Sequence, residues 1–145
     1  MTEPGAKAES PRTIDVFFYG LFMDESLLRQ KGVNPSHRRI SSVENFCLMI
    51  GARATLVPCA NGRVYGVVFS LTHEEVDRLY SEESVSTYRP EAVLAELNDG
   101  DVIPAVCFNL PIAPSPREKN PAYASQLRDL ARQVGLPASY IESIH

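Results

Sequence analysis

A short segment in which an aromatic strand passes into a helix most constrains what this chain can fold into. Residues Val16 to Tyr19 are apolar or aromatic, as in a buried strand, and Gly20 interrupts them. The sequence from Met23 to Gln30 then predicts a helix, with carboxylates in its first turn. Such a strand, glycine turn and helix start direct backbone N–H groups toward one spot, which favours an anionic group or an oxyanion. A purely structural turn explains the same pattern.

Length and charge exclude several functional classes. The chain has 145 residues, enough for one domain with one core. Its net charge is −4, and no basic run is longer than Arg38-Arg39, so neither a nucleic acid nor a membrane is expected as a partner. No apolar run approaches a membrane span, and no signal-peptide pattern opens the sequence. We expect a cytoplasmic monomer or homodimer.

The cysteines also favour a cytoplasmic location. Cys47, Cys59 and Cys107 are odd in number and widely spaced, which fits a reducing cytoplasm better than a disulfide framework or a zinc site. Cys47 and Cys107 lie in apolar segments, where a thiol acts as a small hydrophobic side chain. No paired spacing typical of structural zinc occurs, so no metal is expected.

Turn and capping signals divide the chain into short elements. Residues 1–11 read as a disordered arm, and residues 12–145 as a single domain. Asn61-Gly62 predicts a hairpin, and Gly66 within the next strand predicts a bulge or a closely approaching group. Thr72 to Glu75 predicts a capping box that begins a helix.

The second half of the chain continues the same mixture of strands and helices. Asn98 to Asp101 predicts a hairpin turn between two strands. Ala122 to Val134 has the spacing of an amphipathic helix that ends at Gly135, and a short last helix follows. Together the elements predict an α+β domain whose mixed sheet of five or six strands is curled, or closed as a small barrel, with short helices at its flanks.

Histidine-based nucleophile chemistry is not favoured by this sequence. His37 lies in a polar loop, His73 at a helix start and His145 at the end of the sequence, all typical of solvated positions. Without a candidate base among them, neither a Ser/His/Asp nor a Cys/His system is expected.

Carboxylates are better candidates. Glu82 and Glu83 follow the capping-box helix and precede a loop that returns through Tyr88. A carboxylate at the end of a short helix beside a sheet can serve as a general base, although a solvated acidic loop is the alternative. Tyr88 and Tyr123 are either ligand-binding hydroxyls or core aromatics. Arg53 could bind a carboxylate or form a structural ion pair.

Several motifs, in order and spacing, resemble the gamma-glutamylcyclotransferase-like superfamily. Tyr19-Gly20 follows the first strand, and Arg63 to Leu71 is similar to the superfamily's Val-x-Gly-x-Val-Tyr-x-Leu strand. Leu71 to Leu79 matches in register the helix that follows that strand. Asn120 to Tyr123, followed by Gly135 to Ile141, is similar to the end of the cytosolic gamma-glutamyl cyclotransferases.

The resemblance implies a reaction and a site. In this superfamily the α-amine of a gamma-glutamyl amide attacks its own γ-carbonyl, which releases 5-oxoproline and an amine without a metal or cofactor. The chain would then be an enzyme of the lyase or acyltransferase type. Glu83 falls at the superfamily's catalytic glutamate, and a one-residue slip would make it Glu82. By the same resemblance the substrate-binding residues are Tyr19, Gly20, Leu21, Phe22, Tyr88 and Tyr123.

Four positions depart from the superfamily pattern. Leu21 stands where its members have Ser, and Phe22 where they have Leu or Asn. Tyr80 stands in place of Asp, and Ser84 in place of the Gly after the glutamate. The substrate therefore stays open among glutathione, gamma-glutamyl amino acids and gamma-glutamylamines. An inactive small-molecule binding or interaction domain on the same fold is one alternative. An unrelated α+β scaffold with a structural Tyr-Gly turn is another.

Overall fold

A computed structural model describes residues 12–145, and the predicted arm over residues 1–11 lies outside the described residues. The five strands are β1 (Thr13–Phe18), β2 (Ser36–Ile50), β3 (Ala54–Thr72), β4 (Arg89–Leu97) and β5 (Val102–Asn109). A 3-10 turn spans Leu21–Met23, and the α-helices are α1 (Glu25–Gln30), α2 (His73–Leu79), α3 (Pro121–Val134) and α4 (Ala138–Glu142). None of the described helices is both long and apolar enough to cross a membrane.

The strands form a closed barrel in the order β1-β3-β2-β4-β5. All neighbours are antiparallel except β1 and β5, which meet in parallel at Val16 and Val106. The structure thus confirms the α+β class and the curled sheet closed as a small barrel, with short helices around it.

Gly66 lies on β3 directly against β1. A Cβ at this position would overlap the carbonyl oxygen of Phe18 and lie 2.9 Å from the ring of Phe17. The predicted close approach is therefore confirmed. Because β1 leads directly into the 3-10 turn, this contact also fixes where that turn begins.

The predicted Asn61-Gly62 hairpin is wrong. Strand β3 runs through both residues, and the turn between β2 and β3 lies instead at residues 51–53. Asn61 has a φ of 65°, and the pairing register shifts between Glu44 and Phe46. The dipeptide therefore belongs to a β-bulge, in which four residues of β3 (59–62) lie opposite one residue of β2.

The prediction that no cysteine is disulfide-bonded is also wrong. Cys47 on β2 and Cys59 on β3 form a disulfide, with their Cα atoms 5.4 Å apart. Antiparallel pairing of the two strands brings these residues together, and sequence spacing does not reveal that pairing. The cysteines therefore no longer support a reducing compartment, and the cytoplasmic location stays an expectation. Cys107 is free and buried, as predicted.

Thiol titration should distinguish the three cysteines. Burial raises the pKa of Cys107 to about 12, so its thiol stays protonated and shielded at mildly alkaline pH. We expect no thiol to react in the native, unreduced protein. One should react after unfolding without reductant, and three after unfolding with reductant. Three reactive thiols in the unfolded, unreduced chain would contradict the disulfide.

The helices begin and end at the predicted signals. The Thr72 hydroxyl accepts a hydrogen bond from the N–H of Glu75 at 3.1 Å, and the Glu75 carboxylate accepts one from the N–H of Thr72 at 2.9 Å. Helix α3 ends at Gly135, which has a φ of 95°. Helix α3 also contacts the 3-10 turn, and this contact brings Tyr123 toward Gly20.

Candidate functional site

A cavity of about 370 Å³ opens where β1 ends and the 3-10 turn begins. Residues 17–22 form one wall, and the segment after α2 forms another through Glu82. The predicted lining also includes Tyr88, just before β4, and Tyr123 of α3. The structure therefore brings every predicted substrate-binding residue to one cavity.

Aromatic rings form much of the cavity wall. Tyr80 stacks on Phe108 with ring centroids 3.9 Å apart, and it meets Phe22 edge-on at 6.0 Å. Phe22 in turn meets Phe18 edge-on at 6.2 Å. These four residues, the aromatic cluster, give the cavity an apolar wall. Tyr80 was not among the predicted site residues, because only the tertiary fold turns its ring toward β5.

The buried side chain of Tyr19 holds one wall of the cavity in place. It is 6% exposed, and its hydroxyl donates to the carbonyl oxygen of Phe108 at 2.7 Å while lying 3.0 Å from Oδ1 of Asn109. Burial raises the pKa of Tyr19 well above its usual value. Its hydroxyl therefore ties β1 to β5, and what Tyr19 offers a ligand is its backbone.

Gly20 and Tyr123 fit each other closely. A Cβ at Gly20 would lie 2.7 Å from the Tyr123 hydroxyl, so any other residue would displace that oxygen or the turn. Tyr123 is held at the start of α3, where its N–H donates to the Asn120 side chain at 3.2 Å. Burial raises the pKa of Tyr123, an effect that the backbone N–H of Leu21 partly offsets. The Tyr123 hydroxyl thus stays neutral and faces the turn.

The two adjacent glutamates have different surroundings. Glu82 is half-buried and lines the cavity, where its carboxylate accepts a hydrogen bond from the Lys31 ammonium at 2.7 Å. Glu83 is exposed and is not part of the lining. The structure therefore brings Glu82 together with Gly20 and leaves Glu83 outside, which reverses the order of preference taken from the motif register. An unrelated scaffold would be favoured if both glutamates lay far from Gly20, and Glu82 shares a cavity with it.

Tyr88 lines the cavity with its ring while its hydroxyl is used elsewhere. The hydroxyl donates to the carbonyl oxygen of Ala54, which ties the start of β4 to β3. Burial raises the pKa of Tyr88 to about 12, whereas the nearby Arg53 guanidinium lowers it. Tyr65, also a possible ligand-binding tyrosine on β3, lies apart from the cavity against Tyr140.

Two basic residues add charge to the cavity lining. Lys31 follows the last turn of α1 and forms the ion pair with Glu82. Arg53 lies in the turn between β2 and β3 and donates through Nη1 to Ser84 and Thr87. Lys31 was missed in the sequence because no local pattern indicates a partner 51 residues away.

Comparison with known proteins gives a family and a fold. A family profile described as the AIG2-like family matches residues 63–144. No curated protein sequence matches the chain. A solved structure described as gamma-glutamyl cyclotransferase is 18% identical, with a TM-score of 0.78 over 92% of this chain and 89% of that one.

Two further solved structures share the fold. An uncharacterized protein from Homo sapiens is 20% identical, with a TM-score of 0.75 over 92% of this chain and 89% of that one. An AIG2-like protein from Mus musculus is 14% identical, with a TM-score of 0.58 over 75% of this chain and 89% of that one. The profile match covers more than half of the sequence. The chain therefore belongs to the AIG2-like family, and it shares its fold with a solved structure described as gamma-glutamyl cyclotransferase.

Proposed function

We propose that this protein is a cyclotransferase that converts a small gamma-glutamyl amide to 5-oxoproline and a free amine. The observation that carries the proposal is the position of Glu82. Its carboxylate lines the same cavity as the Tyr19–Phe22 backbone, beside an apolar wall. A base, a set of backbone donors and a sheltered space are what such a ring closure needs.

The reaction requires two proton transfers and no water. The α-ammonium of the substrate first loses a proton, and the resulting amine attacks the γ-carbonyl carbon. A new C–N bond closes the five-membered ring while the bond to the leaving amine breaks. Two protons pass from the attacking nitrogen to the leaving nitrogen, and Glu82 carries them as general base and then general acid.

The 3-10 turn supplies donors for the oxygen of the γ-carbonyl. The N–H group of Phe22 has no hydrogen-bond partner within this turn. The N–H group of Leu21 faces the Tyr123 hydroxyl and would have to turn from it to the substrate. Such donors stabilise the negative charge that develops on the carbonyl oxygen during attack. The departures at Leu21 and Phe22 change side chains and keep these backbone groups, so they are compatible with activity.

The apolar wall has a role of its own. The aromatic cluster keeps water away from the reacting carbonyl, which favours ring closure over hydrolysis. Phe22 and Tyr123 border the space next to the turn, where the leaving amine would lie. A cavity of about 370 Å³ accommodates a gamma-glutamyl group with a small amine.

Substitution of Gly20 should test the turn. We expect Gly20→Ala to lower the rate of 5-oxoproline release by about 10- to 100-fold, because the added Cβ displaces Tyr123 or the turn itself. The double variant Gly20→Ala/Tyr123→Phe removes the overlapping hydroxyl and should be no slower than Tyr123→Phe alone. Steady-state kinetics with an unfolding curve for each variant make the comparison. A wild-type rate in Gly20→Ala would contradict this role.

The reaction class is tested by product release from a panel of amides. Glutathione, gamma-glutamyl dipeptides and gamma-glutamylamines are each incubated with the protein, and 5-oxoproline is quantified by mass spectrometry. We expect release from at least one class, and the preferred amide identifies the leaving group. Binding without release from any of them would favour the inactive binding domain.

A further inference from the structure

We propose that Arg53 binds the α-carboxylate of the ligand and so selects molecules in which that carboxylate is free. The inference rests on the proposed function, because it assigns the part of a gamma-glutamyl substrate that lies opposite its reacting carbonyl. It is tested by binding, so it can fail or hold independently of the reaction.

The first support is the placement of the guanidinium. Arg53 lies in the turn between β2 and β3 and borders the cavity. Its Nη1 donates to the carbonyl oxygen of Ser84 at 3.3 Å and to the hydroxyl of Thr87 at 2.9 Å. Both hydrogen bonds that Arg53 donates within residues 12–145 use this one nitrogen. Its Nε and Nη2 therefore remain available to a ligand while Nη1 fixes the side chain.

The second support is the balance of charge. The charged residues of the cavity lining are Lys31, Arg53 and Glu82. Lys31 and Glu82 neutralise each other at 2.7 Å. Among the described residues no carboxylate forms an ion pair with Arg53. The cavity thus has a surplus positive charge on a planar group that pairs well with carboxylates.

The third support is that Arg53 contacts the loop that carries the proposed base. Ser84, which accepts from Arg53, is two residues beyond Glu82 on that loop. One loop would therefore position both the carboxylate at Arg53 and the ammonium at Glu82, two groups that an amino acid carries on one α-carbon. The backbone of the 3-10 turn is then free to bind the γ-carbonyl oxygen rather than the carboxylate.

A matched pair of ligands tests this assignment. The product 5-oxo-L-proline and its neutral amide, 5-oxo-L-prolinamide, differ only in the carboxylate, and NMR titration gives the affinity of each. We expect wild type to prefer the acid by about 10-fold or more, the usual value of hydrogen bonds to a charged group. Arg53→Met should remove that preference. Arg53→Lys should keep part of it, because lysine has the positive charge but not the planar guanidinium that binds both carboxylate oxygens.

Arg89→Met is the control variant. Arg89 donates to the carbonyl oxygens of Ser86, Thr87 and Tyr88, so it supports the same loop without lining the cavity. It should keep the wild-type preference for the acid. Loss of preference in both variants would mean that loop support, not charge, is responsible, and would overturn the inference.

Other outcomes separate this inference from the proposed reaction. An unchanged preference in Arg53→Met would overturn it even in a protein that releases 5-oxoproline. Equal binding of acid and amide by wild type, or binding of neither, would overturn it as well. A preference that depends on Arg53 in a protein that converts no amide would support the carboxylate site and reject the cyclotransferase.

Discussion

Replacing Glu82 by Gln should lower the rate of 5-oxoproline release by about 100- to 10,000-fold, the range of general acid–base catalysis. Glutamine keeps the shape of the side chain and loses the ability to accept a proton. The carboxylate lines the cavity beside the Tyr19–Phe22 turn, where the α-ammonium of the substrate would lie. Substrate binding should change less than the rate.

Glu83→Gln is the matched control. It makes the same chemical change one residue away, on a side chain that is exposed and outside the cavity lining. Its rate should stay close to that of wild type. Loss of activity in Glu83→Gln with a normal rate in Glu82→Gln would show that the register of the motif, rather than the geometry, identifies the base.

Stability measurements separate an effect on catalysis from an effect on folding in these two variants. The ion pair between Lys31 and Glu82 is partly exposed, with side chains 25% and 38% accessible. Breaking a pair of this kind costs about 1 kcal/mol or less in the free energy of unfolding. Glu82→Gln should therefore remain folded. A denaturant unfolding curve for each variant shows whether a lower rate reflects loss of the base or loss of the folded protein.

Gly66→Ala should lower the free energy of unfolding by about 3 kcal/mol or more, the upper range for overpacking a core. The new Cβ would overlap the carbonyl oxygen of Phe18, and backbone cannot move aside as a flexible side chain can. The ring of Phe17, 2.9 Å away, blocks the other direction. Strands β1 and β3 would have to separate.

Gly100→Asn is the comparison for Gly66→Ala. Gly100 lies in the turn between β4 and β5, with a φ of 92° and no atom within 4 Å of an added Cβ. Asparagine tolerates that backbone conformation, so the loss should stay below about 1 kcal/mol. Chemical unfolding of both variants makes the measurement. A loss as small for Gly66→Ala as for Gly100→Asn would contradict the packing between β1 and β3.

Local signals in the sequence predicted much of the fold. The aromatic strand before Gly20, the capping box at Thr72 and the end of α3 at Gly135 all depend on neighbouring residues, and the structure confirms each. Closure as a small barrel was one of the two forms predicted for the sheet, and the structure confirms it.

Features that depend on distant residues were not predicted. Asn61 adopts a positive φ, which occurs in some bulges as well as in hairpin turns, so the dipeptide alone does not separate the two. The disulfide between Cys47 and Cys59 depends on how β2 and β3 pair across that bulge. Strand register is a tertiary property, and sequence spacing does not contain it.

The candidate site, like the fold, was predicted where local signals define it and missed where distant residues do. The turn at Gly20 and the segment after α2 were both predicted, and they do share a cavity. Which of Glu82 and Glu83 faces that cavity depends on the direction of one residue in a short loop. The partner of Glu82, Lys31, lies just after α1. Long-range ion pairs of this kind leave no local pattern.

The most direct test of the account is the fate of solvent oxygen during turnover. A gamma-glutamyl amide is incubated with the protein in water labelled with oxygen-18, and the products are analysed by mass spectrometry. Ring closure by the substrate's own amine predicts unlabelled 5-oxoproline and no glutamate. Labelled glutamate would show that water attacks the carbonyl, and would contradict the central claim that this cavity performs an intramolecular cyclisation.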